Sequence, residues 1–210
     1  MKILDLNKKA WDKIGKNAVS SFVIKGKFLE FFKLFCKKLS KNATVLDLGC
    51  GPGIPITKQL TEKGFDVTAI DISDTMIRLA KKNVPRAKHI QISMTDIDFI
   101  NEFDGVISSY TMLCLDPSNF KKTAKKIYRA LKSGGFFLIT LNEPPPNGHN
   151  EEENITEIMG QKIYSRPYTE EEIREIFSGY KMKFVKVGRE IMVSDKYGKE
   201  YSLLILMQKL

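Results

Sequence analysis

The run Asp47-Leu-Gly-Cys-Gly-Pro-Gly53 and two later acids, Asp71 and Asp96, hold the residue types best suited to chemistry in this chain. Glycines at alternate positions let a backbone turn sharply and let a ligand come close, because no Cβ stands in the way. A carboxylate at Asp71 can accept hydrogen bonds from both hydroxyls of a ribose. One at Asp96 can accept from the amino group of an adenine. Each of the three groups lies at or just beyond the end of a short run: Thr44-Val-Leu-Asp-Leu48, Asp66–Asp71 and His89–Ser93.

Those runs read as strands, so the elements between them decide whether the three groups can meet. Pro55 falls in the first turn of a helix that runs to about Lys63 and stops at Gly64. Ser73 is a capping residue for a second helix ending near Asn83. Phe103–Ser109 is a fourth strand, Asp116-Pro117 opens the next helix, and Gly134-Gly135 stops it before a strand at Phe136–Leu141. Strand and helix alternate, which predicts a doubly wound α/β domain with a parallel sheet and helices on both faces. Open sheets of this kind bind ligands at the carboxyl ends of their strands, where all three groups fall.

The flanking regions differ in character. In the first 40 residues Phe28, Phe31, Phe32 and Phe35 recur at helical spacing, a core-facing stripe. Asn142–Asn150, with three consecutive prolines, is a loop, and Asn142–Pro167 as a whole is the expected lid and source of specificity. Thr169-Glu-Glu-Glu172 is a capping box for a helix to about Phe177. Met182–Val193 and Tyr201–Gln208 form a terminal hairpin across Ser194–Lys199.

Bulk properties narrow the class. At 210 residues one domain is expected. Its parts are a helical cap over 1–41, a ligand-binding core over 42–141, an acceptor-side loop and helix over 142–180, and the hairpin over 181–210. Cys36, Cys50 and Cys114 have neither paired nor metal-ligand spacing, so a reduced cytoplasmic protein without a metal is expected. The opening MKILDLNKKAW lacks the apolar run of a secretion signal. No apolar stretch approaches the roughly 18 residues of a membrane span, so no membrane partner is expected. The net charge of +9 raises nucleic acid as a partner, but the lysine pairs are scattered as they are on solvated helix faces.

Two ligands suit the glycine turn: a dinucleotide and S-adenosylmethionine. A dinucleotide site wants G-x-G-x-x-G, and Ile54 stands where its third glycine would be. Phosphates have no use for Asp47, whereas the ammonium of a bound methionine does. VLDLGCGPG, AIDIS, SMTDI, FDGVISS and LKSGGFFLITL resemble, in order and spacing, the motifs of class I S-adenosylmethionine-dependent methyltransferases over about residues 42–141. Within that class the chain is most similar to the group acting on small molecules. Tyr168-Thr-Glu-Glu-Glu-Ile and Gly-Tyr-Lys-Met-Lys-Phe184 resemble that group's last helix and sixth strand.

The resemblance implies a Rossmann-like sheet of seven strands in the order 3-2-1-4-5-7-6, strand 7 antiparallel. It also implies roles. Asp47 would hold the methionine ammonium. Gly49, Cys50 and Gly51 would line the methionine part, with Gly53 completing the loop. Asp71 would clamp the ribose, with Ile72 packed on the adenine. Asp96 would meet the adenine amino group, flanked by Thr95 and Ile97. Ser108 and Ser109 would sit under the transferable methyl.

On the acceptor side the candidates are Tyr110, Trp11, His149, Tyr164 and Tyr168, with Tyr110 best placed and His149 a candidate base. Ser108-Ser-Tyr-Thr111 lacks the proline motif of enzymes that methylate exocyclic base nitrogens. The expected activity is methyl transfer to a small molecule. RNA or protein methylation, or a cofactor-holding partner subunit, are the alternatives. Neither the acceptor nor the oligomeric state follows from the sequence.

Overall fold

The computed structural model describes residues 2–20, 24–194 and 198–210. In chain order the elements are α1 (Ile3–Ile14), α2 (Gly26–Lys38), β1 (Thr44–Leu48), α3 (Ile56–Glu62), β2 (Asp66–Asp71), α4 (Asp74–Asn83), β3 (Lys88–Gln91), β4 (Phe103–Ser109), α5 (Pro117–Ala130), β5 (Leu131–Asn142), β6 (Ile155–Ile158), β7 (Gln161–Tyr164), α6 (Glu170–Phe177), β8 (Met182–Ser194) and β9 (Gly198–Lys209). The main sheet has seven strands in the order β3-β2-β1-β4-β5-β9-β8. Strands β1 to β5 are parallel, and β9 runs antiparallel between β5 and β8. Once the small β6–β7 pair is set aside, this is the order 3-2-1-4-5-7-6 with an antiparallel seventh strand.

Local chemistry places the helix starts as the sequence predicts. Ser73 Oγ accepts the Met76 N–H and Asp116 accepts the Asn119 N–H. Thr169 and Glu172 complete the reciprocal capping box. The α2 phenylalanines bury against Val45, Ile107, Leu138 and Leu204 on one face of the sheet. On the other face α5 and α6 contribute Phe120, Ile127, Ile173 and Phe177. Helices therefore cover both faces.

Three expectations need adjustment. The third strand ends at Gln91, so Ser93 lies in the turn beyond it. Pro55 is the residue before α3 rather than part of its first turn. The 142–167 segment is not all loop, since it carries the hairpin β6–β7. Met159 and Gly160, at φ 50° and 75°, make its two-residue turn. The tip of the terminal hairpin, 195–197, lies outside the described residues.

Among the described residues, no helix is long and apolar enough to cross a membrane, and no group of His, Cys, Asp or Glu could hold a metal ion.

Candidate active site

A cavity opens at the carboxyl ends of β1, β2 and β4. Asp47, Gly49, Gly51, Asp71, Ile72 and Ser109 are in its wall. The turn after β1 is tied to its neighbour strand, because the N–H groups of Gly49 and Cys50 both donate to the Ile70 carbonyl at 2.9 Å. All three glycines of this turn have positive φ: 74° at Gly49, 54° at Gly51 and 78° at Gly53. What a Cβ would meet differs sharply between them. At Gly49 it would lie 2.0 Å from Thr111 Cγ2, and at Gly53 3.2 Å from the Ala80 backbone. At Gly51, itself part of the cavity wall, it would meet no protein atom within 4 Å. Gly49 and Gly53 are thus fixed by the protein's own packing, and Gly51 keeps a clear approach for a ligand.

Two carboxylates are buried here. Asp47 is 2% exposed, and its Oδ2 accepts the Thr57 hydroxyl at 2.6 Å from the first turn of α3. Asp71 is 9% exposed and accepts the N–H of Gly51 at 3.0 Å and of Ser73 at 2.8 Å. Burial pushes the Asp47 carboxyl up to about 7, with the negative charge of Asp71 adding to the rise. Burial likewise pushes Asp71 up to about 6, against the two backbone donors that favour its charged form. Cys50, also in the wall, is driven well above the usual thiol range, first by burial and then by the two carboxylates, which favours the neutral thiol.

The outer wall comes from the N-terminal region: Leu4, Asn7, Trp11, Ala18 and Phe28. Helix α1 is held there by two polar anchors that sequence reasoning missed. The Asn7 amide donates to the carbonyls of Cys114 and Tyr164 at 3.0 Å each and accepts the Tyr164 N–H at 2.8 Å. Asp12 accepts the Ser73 hydroxyl at 2.6 Å and the Thr75 N–H at 3.2 Å. Helical spacing puts Asn7 and Trp11 on one face of α1, four residues apart, and that was the available signal.

Of the predicted site residues, Asp47, Gly49, Cys50, Gly51, Asp71, Ile72, Ser109, Tyr110 and Trp11 meet around the cavity. Others do not. Asp96 is exposed and pairs with Lys122 at 3.5 Å, while Ile92, Ser93 and Met94 form the wall at the end of β3. Thr95 is buried beside Ser93, its hydroxyl 2.8 Å from the Ser93 hydroxyl, and Ile97 belongs to the core. Ser108 is fully buried outside the wall, because successive strand residues point to opposite faces and Ser109 takes the cavity side. Tyr164 is in β7, outside the wall, with its backbone held by Asn7. The Tyr168 hydroxyl donates to the Leu115 carbonyl at 2.8 Å, and its ring packs on Phe120. His149 lies 2.8 Å from the Asn154 side chain, away from the wall.

This geometry can be set beside known proteins. The family described as a methyltransferase domain matches residues 45–135. Over that stretch the chain is similar to a methyltransferase domain. Among relatives, YqeM of Bacillus subtilis, whose name gives the methyltransferase class and no acceptor, is 34% identical over 111 residues, half of this chain and 44% of its own. The chain spans about half the length of the curated relatives it matches. An S-adenosylmethionine-dependent methyltransferase of Methanosarcina mazei superposes with a TM-score of 0.75 at 20% identity, covering 84% of this chain and 97% of the other. The 1,6-didemethyltoxoflavin-N1-methyltransferase of Burkholderia thailandensis, solved with 1,6-didemethyltoxoflavin and S-adenosylhomocysteine, superposes at 0.73 and 22% identity, covering 96% and 86%. At these identities the structural likenesses carry the fold of the methyltransferase domain.

Proposed function

We propose that this protein binds S-adenosylmethionine at the β1–β2 strand ends and transfers its methyl group to a small molecule held under α1. The observation that carries the reading is the joint placement of Asp47 and Asp71, two buried carboxylates with no cationic residue beside them in the cavity wall among the described residues, next to a Gly51 where a Cβ would meet no protein atom. An ammonium and a ribose diol satisfy such a pair, and a phosphate does not.

The residues fit the cofactor as follows. Asp47, steadied by Thr57, faces the ammonium. Asp71, steadied by the Gly51 and Ser73 N–H groups, accepts from the ribose hydroxyls. Ile72 and Met94 offer apolar surface to the adenine, with Ser93 as a polar neighbour. Held by these residues, S-adenosylmethionine would supply an electrophilic methyl to an acceptor's lone pair, the S–CH3 bonding electrons remaining on the sulfur of S-adenosylhomocysteine. The chain's own contribution is alignment and exclusion of water. Alignment of this sort reduces barriers by about 7–11 kcal/mol in favourable cases. Tyr110, at the end of β4, stands where an acceptor would be oriented, its hydroxyl donating to Ser202 Oγ at 2.8 Å.

The test is thermal stabilisation. S-adenosylmethionine and S-adenosylhomocysteine raise Tm, by about 2.7 kcal/mol of added stability at a hundredfold excess over Kd. NADH does not. Stabilisation by NADH alone would sink the reading.

A further inference from the structure

The chain has 34 lysines and arginines, yet among the described residues no Lys, Arg or His lines the cavity. An anionic acceptor would find no countercharge from the protein there, and burying an anion without a protein partner is costly. What the acceptor side does offer is aromatic: Trp11, Phe28 and Tyr110 all reach the wall, and the Phe28 and Tyr110 rings meet edge to face at 6.4 Å. Such rings present flat apolar surface and favour a cation over their faces.

Behind Tyr110 lies a second feature. Its hydroxyl donates to Ser202 on β9. Ser202 pairs across the ladder with Glu190 of β8, and Glu200 is two residues before it on β9. Cross-strand partners and i, i+2 neighbours share one face of a sheet, so Glu190, Glu200 and Ser202 share a face. It is the face against α2, because Glu190 accepts the Lys27 N–H at 3.0 Å. Both carboxylates act on the Tyr110 hydroxyl, raising it after burial itself. Neither has an ion-pair partner among the described residues, and Glu200 is partly buried.

We infer that the acceptor pocket selects a flat apolar molecule bearing a cationic amine, its ring against Trp11, Phe28 and Tyr110 and its charge toward Glu190 and Glu200. This rests on the methyl-transfer reading for where the acceptor sits. It adds the acceptor's class and names Glu200 as a residue that sets specificity.

Three probes with one ring system separate charge from shape: 2-naphthylmethylamine, 2-naphthylmethanol and 2-naphthoate. Each is titrated calorimetrically into the full chain saturated with S-adenosylhomocysteine. The amine is expected to bind at least tenfold more tightly than the alcohol, and the naphthoate more weakly than the alcohol. Glu200→Gln is expected to narrow the amine–alcohol gap at least threefold, with Tm and S-adenosylhomocysteine affinity unmoved. Glu190→Gln, which keeps an acceptor for the Lys27 N–H, serves as the second variant. Naphthoate binding as tightly as the alcohol, a gap unchanged in both variants, or no binding by any probe overturns the inference. Because S-adenosylhomocysteine is titrated first, its own failure to bind is read separately as failure of the cofactor site.

Discussion

Asp71 Oδ2 accepts the Gly51 N–H at 3.0 Å, so the acid at the end of β2 shapes the glycine turn after β1. Its other oxygen accepts the Ser73 N–H at the start of α4. One side chain thus sets the loop that a ligand must approach and the cap of the next helix. Asp71→Ala is expected to weaken S-adenosylmethionine binding by about ten- to a hundredfold, since a hydrogen bond to a charged group contributes about 1.5–3 kcal/mol. It also leaves two N–H groups short of a partner, costing about 1–3 kcal/mol of stability. Calorimetry and denaturant unfolding read the two effects apart. An unchanged affinity in a folded variant would reduce Asp71 to a structural brace.

The three glycines of the turn forecast different phenotypes. Gly49→Ala drives a Cβ into Thr111 and loses stability, by about 1–3 kcal/mol as overpacking typically costs. Gly51→Ala meets no protein atom, so its stability loss is limited to the positive φ of 54°, about 1 kcal/mol. Its methyl group occupies the ligand's approach, and affinity falls at least tenfold. Equal affinity for wild type and Gly51→Ala would move the ligand away from this turn.

Protonation links the site to pH. The folded-state values of Asp47 and Asp71, about 7 and about 6, lie above the ordinary 3.8. The folded protein therefore holds these protons more tightly than the unfolded chain does. The stability they confer is full below pH 3.8 and is lost as pH rises through about 6 and about 7. Ligand-free Tm is expected to carry a falling contribution across that window, and Asp47→Asn is expected to remove its upper part, through about pH 7, while leaving the part that Asp71 contributes. Affinity for S-adenosylmethionine has the opposite slope, because the ammonium needs the carboxylate. It rises by at most about tenfold per pH unit for each proton released. Affinity flat from pH 5 to pH 8 would contradict a carboxylate partner.

Asp96→Ala is expected to leave S-adenosylmethionine affinity within about twofold, the range of an exposed ion pair. Ser93 and Met94 form the wall instead. Filling that corner with Met94→Trp should weaken binding more than removing Asp96 does. The reverse order in a calorimetric comparison would restore Asp96 to the adenine.

Asn7→Ala removes the partner of three backbone groups at once, on Cys114 and Tyr164. With about 1–3 kcal/mol for each buried group left unpaired, a loss of about 3 kcal/mol or more is expected. Hydrogen exchange should show it first in α1 and β7. Protection unchanged in both would mean that Asn7 does not anchor the helix.

What was legible in the sequence was local. The strand-end acids Asp47 and Asp71, the Ser73 and Asp116 caps and the capping box at Thr169 are each encoded within a few residues. Asp96, Ser108 and Tyr168 were misplaced because a single turn or one step of strand alternation decides which way a side chain faces. For Asp96 the deciding event was β3 ending at Gln91, which spacing could not fix. The β6–β7 hairpin was missed although Met159-Gly160 marks a turn, because its strands are short and polar. Asn7 and Asp12 act across long sequence separations, and nothing near them announces their partners.

The last strand in chain order is not at the rim of the sheet. β9 lies between β5 and β8, and Leu203 to Met207 are fully buried there. Until β9 arrives, β5 presents a bare ladder edge with Phe137, Leu138 and Ile139 alongside, and β8 has no neighbour to pair with. Such an edge is a template for pairing with another chain. During synthesis on the ribosome, the nascent polypeptide is therefore most exposed to self-association after β5 has emerged and before β9 has.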